Sequence, residues 1–197
     1  DFGKEIIPSS IGKCKVQSYQ YEGYWTDIGN IYSFYEANLA LTMEIPPFNL
    51  FDNTKAIFSR ARMLPPMKVT GTHIESSILA EGCIIHASRI ANSVIGIRTR
   101  IGKESEIEST YIMGSDYYET LPEMAYSLER GIPKLGIGER CKISHAIVDK
   151  DCRIGNDVII SGGAHLPDSD HALFTVKDGI VVIKKGAILP DGFTIGG

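Results

Sequence analysis

The stretch ILAEGCIIHASRIANSVIGIRTRIGKESEI, running from Ile78 to Ile107, decides how this chain folds. Isoleucine returns in it every six residues, at Ile78, Ile84 and Ile90 and again at Ile95, Ile101 and Ile107. The beat reappears at Ile137 and Ile143, at Val148, Ile154 and Ile160, and at Ile183, Leu189 and Ile195. A helix repeats at about 3.6 residues and a strand at about two, so this is the period of neither. It requires a coil in which each short strand turns one aliphatic residue inward and then bends. Three such strands close a triangular turn of about eighteen residues, and stacked turns make a parallel β-solenoid. Small and polar residues fall between the inward positions, as in Ala80-Glu81-Gly82 and Asp151-Cys152-Arg153, and suit tight corners. No single strand can keep its aliphatic residue from water, so the coils must stack to fold.

Working outward, the chain divides into three zones: residues 1–42, a linker at 43–68, and the solenoid at 69–197. The first zone carries a short strand pattern over Cys14–Tyr19 and an aromatic cluster from Tyr21 to Trp25. An amphipathic helix follows from Asn30 to Leu41, with Ile31, Phe34, Tyr35, Asn38 and Leu39 on one side and Asn30 as its N-cap. The linker holds Pro46-Pro47 and Pro65-Pro66, which oppose helix and predict an extended strap over the surface. Two interruptions of the beat, Gly114–Lys134 with a helical pattern at Glu123–Arg130 and Ser161–Asp178, predict loops inserted between coils. Coils built on hexapeptides are usually left-handed, an exception to the rule for parallel crossovers, although periodicity alone does not fix the hand.

Composition sets outer bounds. The 197 residues, 43% of them hydrophobic, allow one solenoid with a short lead-in, and the net charge of −4 gives no reason to expect nucleic acid. Cys14, Cys83, Cys141 and Cys152 form no CxxC pair and read as reduced core or corner residues of a cytoplasmic protein. No run is long enough to span a bilayer, and no membrane association is expected. A beginning at Asp1-Phe2-Gly3, strand-like and without an initiator methionine, reads as an excised part of something longer.

Several residues could carry chemistry. Asp27, in a loop before the helix, either reaches a cation or a sugar hydroxyl or caps the helix. Arg60 and Arg62 precede Pro65-Pro66, Lys150 falls at a coil corner, and Lys184 and Lys185 follow the apolar run Ile180–Ile183. Converging in space, they would form an anion site for a phosphorylated small molecule; scattered, they are solvated charges. His86 or His145 could serve as the general base of an acyltransferase acting from acyl-CoA, or could be surface residues. His165 and His171 stand too far from other ligand types for a metal site.

Five motifs in order carry a resemblance. They are Gly23-Tyr24-Trp25-Thr26-Asp27-Ile28-Gly29 with the Phe34–Leu39 helix, Arg62-Met63-Leu64-Pro65-Pro66, Met113 to Thr120, Ile147-Val148-Asp149-Lys150, and Gly179 to Lys184. Together they resemble the C-terminal part of the ADP-glucose pyrophosphorylase (glucose-1-phosphate adenylyltransferase) family, of the cyanobacterial and plant type. The resemblance implies a mainly β fold, a left-handed parallel β-helix preceded by a short remnant of an α/β nucleotidyltransferase domain. It implies a parent enzyme that joins ATP and glucose 1-phosphate into ADP-glucose and pyrophosphate, cytoplasmic or, in a plant, plastidic. Asp27 matches a ligand of the catalytic Mg²⁺, and the other catalytic residues would lie in a domain absent here, so this chain alone should lack catalysis. Lys150 and Lys184 match lysines that bind the activator 3-phosphoglycerate in competition with phosphate, and Arg62 matches an arginine of the same cleft. Arg60 replaces a usual glutamine, which leaves the choice of effector open, fructose 1,6-bisphosphate included. A homo- or hetero-tetramer assembled partly through the β-helix is the implied partner state.

Overall fold

The structure, a computed structural model describing residues 1–197, is a parallel β-helix of triangular section with a helix laid against one side. The first face stacks six two-residue strands: Lys68–Val69, Ile84–Ile85, Arg100–Ile101, Gly136–Ile137, Arg153–Ile154 and Ile188–Leu189. The second runs through His73–Glu75, Arg89–Ala91, the first halves of Glu106–Ile112 and Lys142–Val148, then Ile159–Ser161 and Thr194–Ile195. Ile78–Leu79, Val94–Ile95, the second halves of the two long strands and Ile180–Ile183 build the third.

Strand register shows that the coil is shorter than the expected eighteen residues. Ile84 pairs with both Lys68 and Arg100, steps of sixteen, and Arg89 pairs with Glu106, a step of seventeen. Some faces therefore hold five residues, and the fully buried series reads Ile85, Ile90, Ile95, Ile101, Ile107, with Ile112 close behind. Ile78 and Ile84, which the six-residue beat places inside, are only half-buried; their neighbours Leu79 and Ile85 point into the core. Later in the chain Ile137, Ile143, Val148, Ile154, Ile160, Ile183, Leu189 and Ile195 are all buried, as their spacing predicts.

The corners explain how so short a coil closes. Ser76, Asn92, Ser109 and His145 recur where the second face turns into the third, each with a φ between 43° and 48°. Such left-handed backbone is uncommon outside glycine and is tolerated here because the ladders on either side hold it. Inside the turns, buried hydroxyls close the hydrogen bonding: Ser105 Oγ donates to the Gly138 carbonyl at 2.9 Å and accepts the Cys141 N–H at 3.0 Å. Cys83, Cys141 and Cys152 are buried free thiols, and burial pushes all three up, Cys152 to about 12. Cys14 is exposed, so it is a surface residue rather than a core one.

Both interruptions are insertions at corners that leave the stack intact. The first carries a helix at Leu121–Glu129, opened by a reciprocal cap between Thr120 and Glu123. A buried ion pair ties it to the first face: Arg153 Nη1 lies 2.6 Å from Glu119 Oε1 and donates to the Pro133 carbonyl at 2.8 Å, while Glu119 Oε2 accepts the Leu135 N–H at 2.8 Å. The second is not the plain loop its sequence predicts. Phe174–Lys177 turns back antiparallel onto Ile180–Ile183, and Ser169–Asp170 adds beyond it.

In the lead-in, the helix spans Ile31–Leu39 with Asn30 as its cap, accepting the Ser33 N–H at 2.8 Å. It covers the outside of the third face, where Tyr35 packs with Ile147 and Ile180 and donates its hydroxyl to the Ser109 carbonyl at 2.5 Å. Burial pushes the Tyr35 phenol above its ordinary value. The expected strand at Cys14–Tyr19 is absent; a single bridge joins Ile11 to Cys14, because no strand lies alongside to take up the backbone hydrogen bonds. Asp1-Phe2-Gly3 likewise enters a helical turn over Phe2–Ser10 instead of a strand. No helix is long and apolar enough to cross a membrane.

Two variants test this packing. A methyl group on Gly138 would sit 2.4 Å from the Gly155 carbonyl oxygen in the next coil. Gly138→Ala should therefore cost about 3 kcal/mol, read as a lowered urea midpoint. Glu119→Ala leaves Arg153 without its carboxylate and should also cost about 3 kcal/mol, with the first insertion losing amide protection before the coils do.

Candidate functional site

The corner where the third face turns into the first brings the basic residues together. Val148 pairs with Ile183 across neighbouring coils, and extending that register by two residues sets Lys185 beside Lys150. A bond from the Gly186 N–H to the Lys150 carbonyl, at 2.9 Å, holds the two turns in this relation. Asp116, at the start of the first insertion, lies between them. Its Oδ1 is 2.7 Å from Lys150 Nζ and its Oδ2 is 3.8 Å from Lys185 Nζ. The Asp116 N–H donates to Asp151 Oδ1 at 2.8 Å, and Asp151 occupies the corner with φ of 61°. The Lys150 hydrogen bond holds the Asp116 carboxyl below the usual carboxylate range, helped by the charges of Lys150, Lys185 and, from the strap, Arg62.

Lys184 takes another direction. It lies just past the end of Ile180–Ile183, where its Nζ meets Asp170 Oδ1 at 2.7 Å and the His171 carbonyl. Asp170 also accepts the Thr175 hydroxyl at 2.6 Å, and the Lys184 hydrogen bond holds its carboxyl low. Lys150 and Lys184 thus each have a carboxylate on them, carried by different insertions. Arg60 is exposed and makes no ion pair.

Asp27 does not cap the helix, since Asn30 does; its Oδ1 accepts the Gly29 N–H at 3.0 Å in an exposed turn. No group of three potential metal ligands gathers anywhere in the chain. A single carboxylate fits a Mg²⁺ held mainly by water and substrate phosphates, but does not make a site by itself. Near it, Gly29, Phe34, Met113, Ile147, Asp149 and Val182 line an open cleft of about 370 Å³ between the lead-in and the third face.

A larger groove, about 530 Å³, lies between the first face and the first insertion, with His86 and Arg100 on one wall and Leu128 and Ile132 on the other. His145 is an exposed corner residue, His165 Nε2 is 3.3 Å from the Gly196 carbonyl, and His171 stacks on Phe174 at 4.3 Å. None is hydrogen-bonded to a carboxylate as an oriented general base would be.

Comparison with known families decides what the helix is. The GLGC left-handed parallel beta-helix domain matches residues 62–194, about two thirds of the chain, from Arg62 in the strap to the last strand. The chain belongs to this family. The hand of the solenoid, which periodicity leaves open, is therefore left, and the fold is the one expected from the resemblance. The GLGC family is a β-helix related to ADP-glucose pyrophosphorylase, a nucleotidyltransferase. Within the matched GLGC span lie Arg62, Asp116, Lys150, Lys184 and Lys185. The sequence names Lys185 among the converging cations but does not single it out as the neighbour of Lys150, and it does not mark Asp116. Register selects Lys185 over Lys184 as the neighbour of Lys150, because Val148 and Ile183 both belong to the beat and each lies two residues before a lysine. Nothing local marks Asp116, whose place depends on the path of the insertion.

Removing the Lys150 charge should let the Asp116 carboxyl rise towards its ordinary value. A ¹³C carboxyl titration of Lys150→Ala should show the Asp116 midpoint at higher pH than in the unaltered chain, and an unmoved midpoint would contradict the pairing.

Proposed function

We propose that this chain forms the effector-binding and assembly part of a glucose-1-phosphate adenylyltransferase, which makes ADP-glucose and pyrophosphate from ATP and glucose 1-phosphate. The gathering of Arg62, Lys150 and Lys185 at one solenoid corner, within the span of the GLGC family, carries this reading. Cations from a strap and from two successive coils offer a phosphorylated effector charge from several sides, which suits 3-phosphoglycerate or inorganic phosphate. Lys184, one residue before Lys185, would reach the far end of a longer effector once released from Asp170. Arg60 adds a further positive charge to the same strap and would favour an effector with more than one anionic group.

Catalysis in this reading belongs to residues outside the chain. Asp27 would give one oxygen to the Mg²⁺ that neutralises phosphate charge during the transfer, and the turn through Gly29 orients it. The exposed apolar lead-in supports a neighbouring domain here, since Trp25 is 76% exposed and Ile28, 55% exposed, lines the open cleft with Gly29 and Phe34. The coil stack is the natural scaffold for subunit contact in a homo- or hetero-tetramer, because its end coil leaves Ile188–Leu189 and Thr194–Ile195 with one free edge each.

In an active enzyme containing this chain, Lys150→Ala or Lys184→Ala should raise the 3-phosphoglycerate concentration for half-activation by roughly tenfold or more while basal ADP-glucose synthesis persists. An unchanged activation curve in both variants would remove the effector assignment.

A further inference from the structure

The lysine corner already holds an anion. Asp116 presents one carboxylate oxygen to Lys150 at 2.7 Å and the other to Lys185 at 3.8 Å, as two oxygens of a phosphate or carboxylate ligand would. Around it Arg62, Lys150 and Lys185 supply positive charge and Asp116 and Asp151 negative, with the Arg98 guanidinium on the adjacent Ser115 carbonyl at 3.3 Å. An anion approaching this corner meets a carboxylate already seated on the two lysines. The residue is free to leave: its side chain is 44% exposed, and Asp151 holds only its backbone N–H. The insertion that carries it is anchored three residues on, at the buried Glu119–Arg153 pair, so the Asp116 side chain can move without unseating the insertion.

We infer that Asp116 is a built-in counter-anion that occupies the Lys150–Lys185 corner and must swing aside before a phosphorylated effector can bind there, an inference that rests on the effector role proposed above. Asp116 thereby sets the effector threshold. Its carboxylate competes for the two lysines and repels an incoming phosphate. Because exposed ion pairs are individually weak, the threshold is one that millimolar effector can overcome.

The test is a titration of the 197-residue chain with inorganic phosphate at constant ionic strength, followed by amide shifts of residues 114–118 and 149–151. Asp116→Asn should bind phosphate roughly three- to tenfold more tightly than the unaltered chain. Lys150→Ala should abolish binding. Glu104→Gln removes the same charge at a different corner and should change nothing. Phosphate binding that depends on Lys150 but is no tighter in Asp116→Asn overturns the counter-anion while sparing the effector site. An equal gain in Glu104→Gln also overturns it, since bulk charge would then explain the effect. Absence of phosphate binding in every form removes both the inference and the effector reading. A second readout does not depend on any Asp116 variant: saturating phosphate should move the Asp116 carboxyl resonance of the unaltered chain towards its value in Lys150→Ala. A resonance that stays put while phosphate binds overturns the displacement.

Discussion

Everything in this molecule depends on the coil-to-coil backbone ladder. Parallel strands in successive coils must lie about 4.8 Å apart, and every turn of the chain has to return to the same three faces within that rise. The inward isoleucines follow from this constraint, because each face of a coil offers about one large aliphatic position to the core, with Cys83, Cys141, Cys152 and Val158 packed among them. So does the close approach of Gly102, Gly138 and Gly155, where the next coil passes within 2.4 Å of any added Cβ. So do the left-handed corners at Asn92, Ser109 and His145. The chain can depart from the stack only at a corner, and both insertions do so.

A stack of this kind converts distance along the chain into neighbourhood in space. Residues sixteen, seventeen or some thirty-five apart become register mates, so a corner gathers side chains that sequence separates widely. Lys150 and Lys185 meet by this rule. Lys184 stays apart from them because its side chain is taken up by Asp170 and the His171 carbonyl of the second insertion. Insertions add what register cannot supply: Asp116 and Asp170 are brought onto their lysines by segments that belong to no coil.

The fold was legible in the sequence because one interaction, burial of a single aliphatic residue per face, repeats often enough to show its period. Its detail was less so. Ile78 and Ile84 were misplaced by one position because Ile84 has an aliphatic neighbour in Ile85, and a beat of six cannot tell which of two adjacent residues points inward. The hairpin at Phe174–Lys177 escaped notice because its apolar residues pair antiparallel with Ile180–Ile183 and carry no six-residue period. The Cys14–Tyr19 strand pattern had the right residue types but no partner strand to pair with. For the candidate site, the sequence itself offered the residue types and Lys150, Lys184 and Lys185 as candidates. Their separation into two carboxylate-bound groups could not, since it rests on side-chain direction and on the paths of the insertions.

The exposed setting of the lysine corner is what the proposed effector role requires. A cation pair buried in the solenoid would need a permanent, fully satisfied counter-ion and would respond to nothing, because removing that partner would cost several kcal/mol. At the surface, water and salt screen each pair to a small fraction of that, so one anion can replace another at modest cost. The molecule shows both regimes within a few residues. Glu119, 1% exposed, is locked to Arg153 and fixes the insertion, whereas Asp116, 44% exposed on the same segment, meets its lysines where solvent can intervene. A rigid anchor next to an exchangeable charge lets a ligand change the local electrostatics without unfolding the element that carries them.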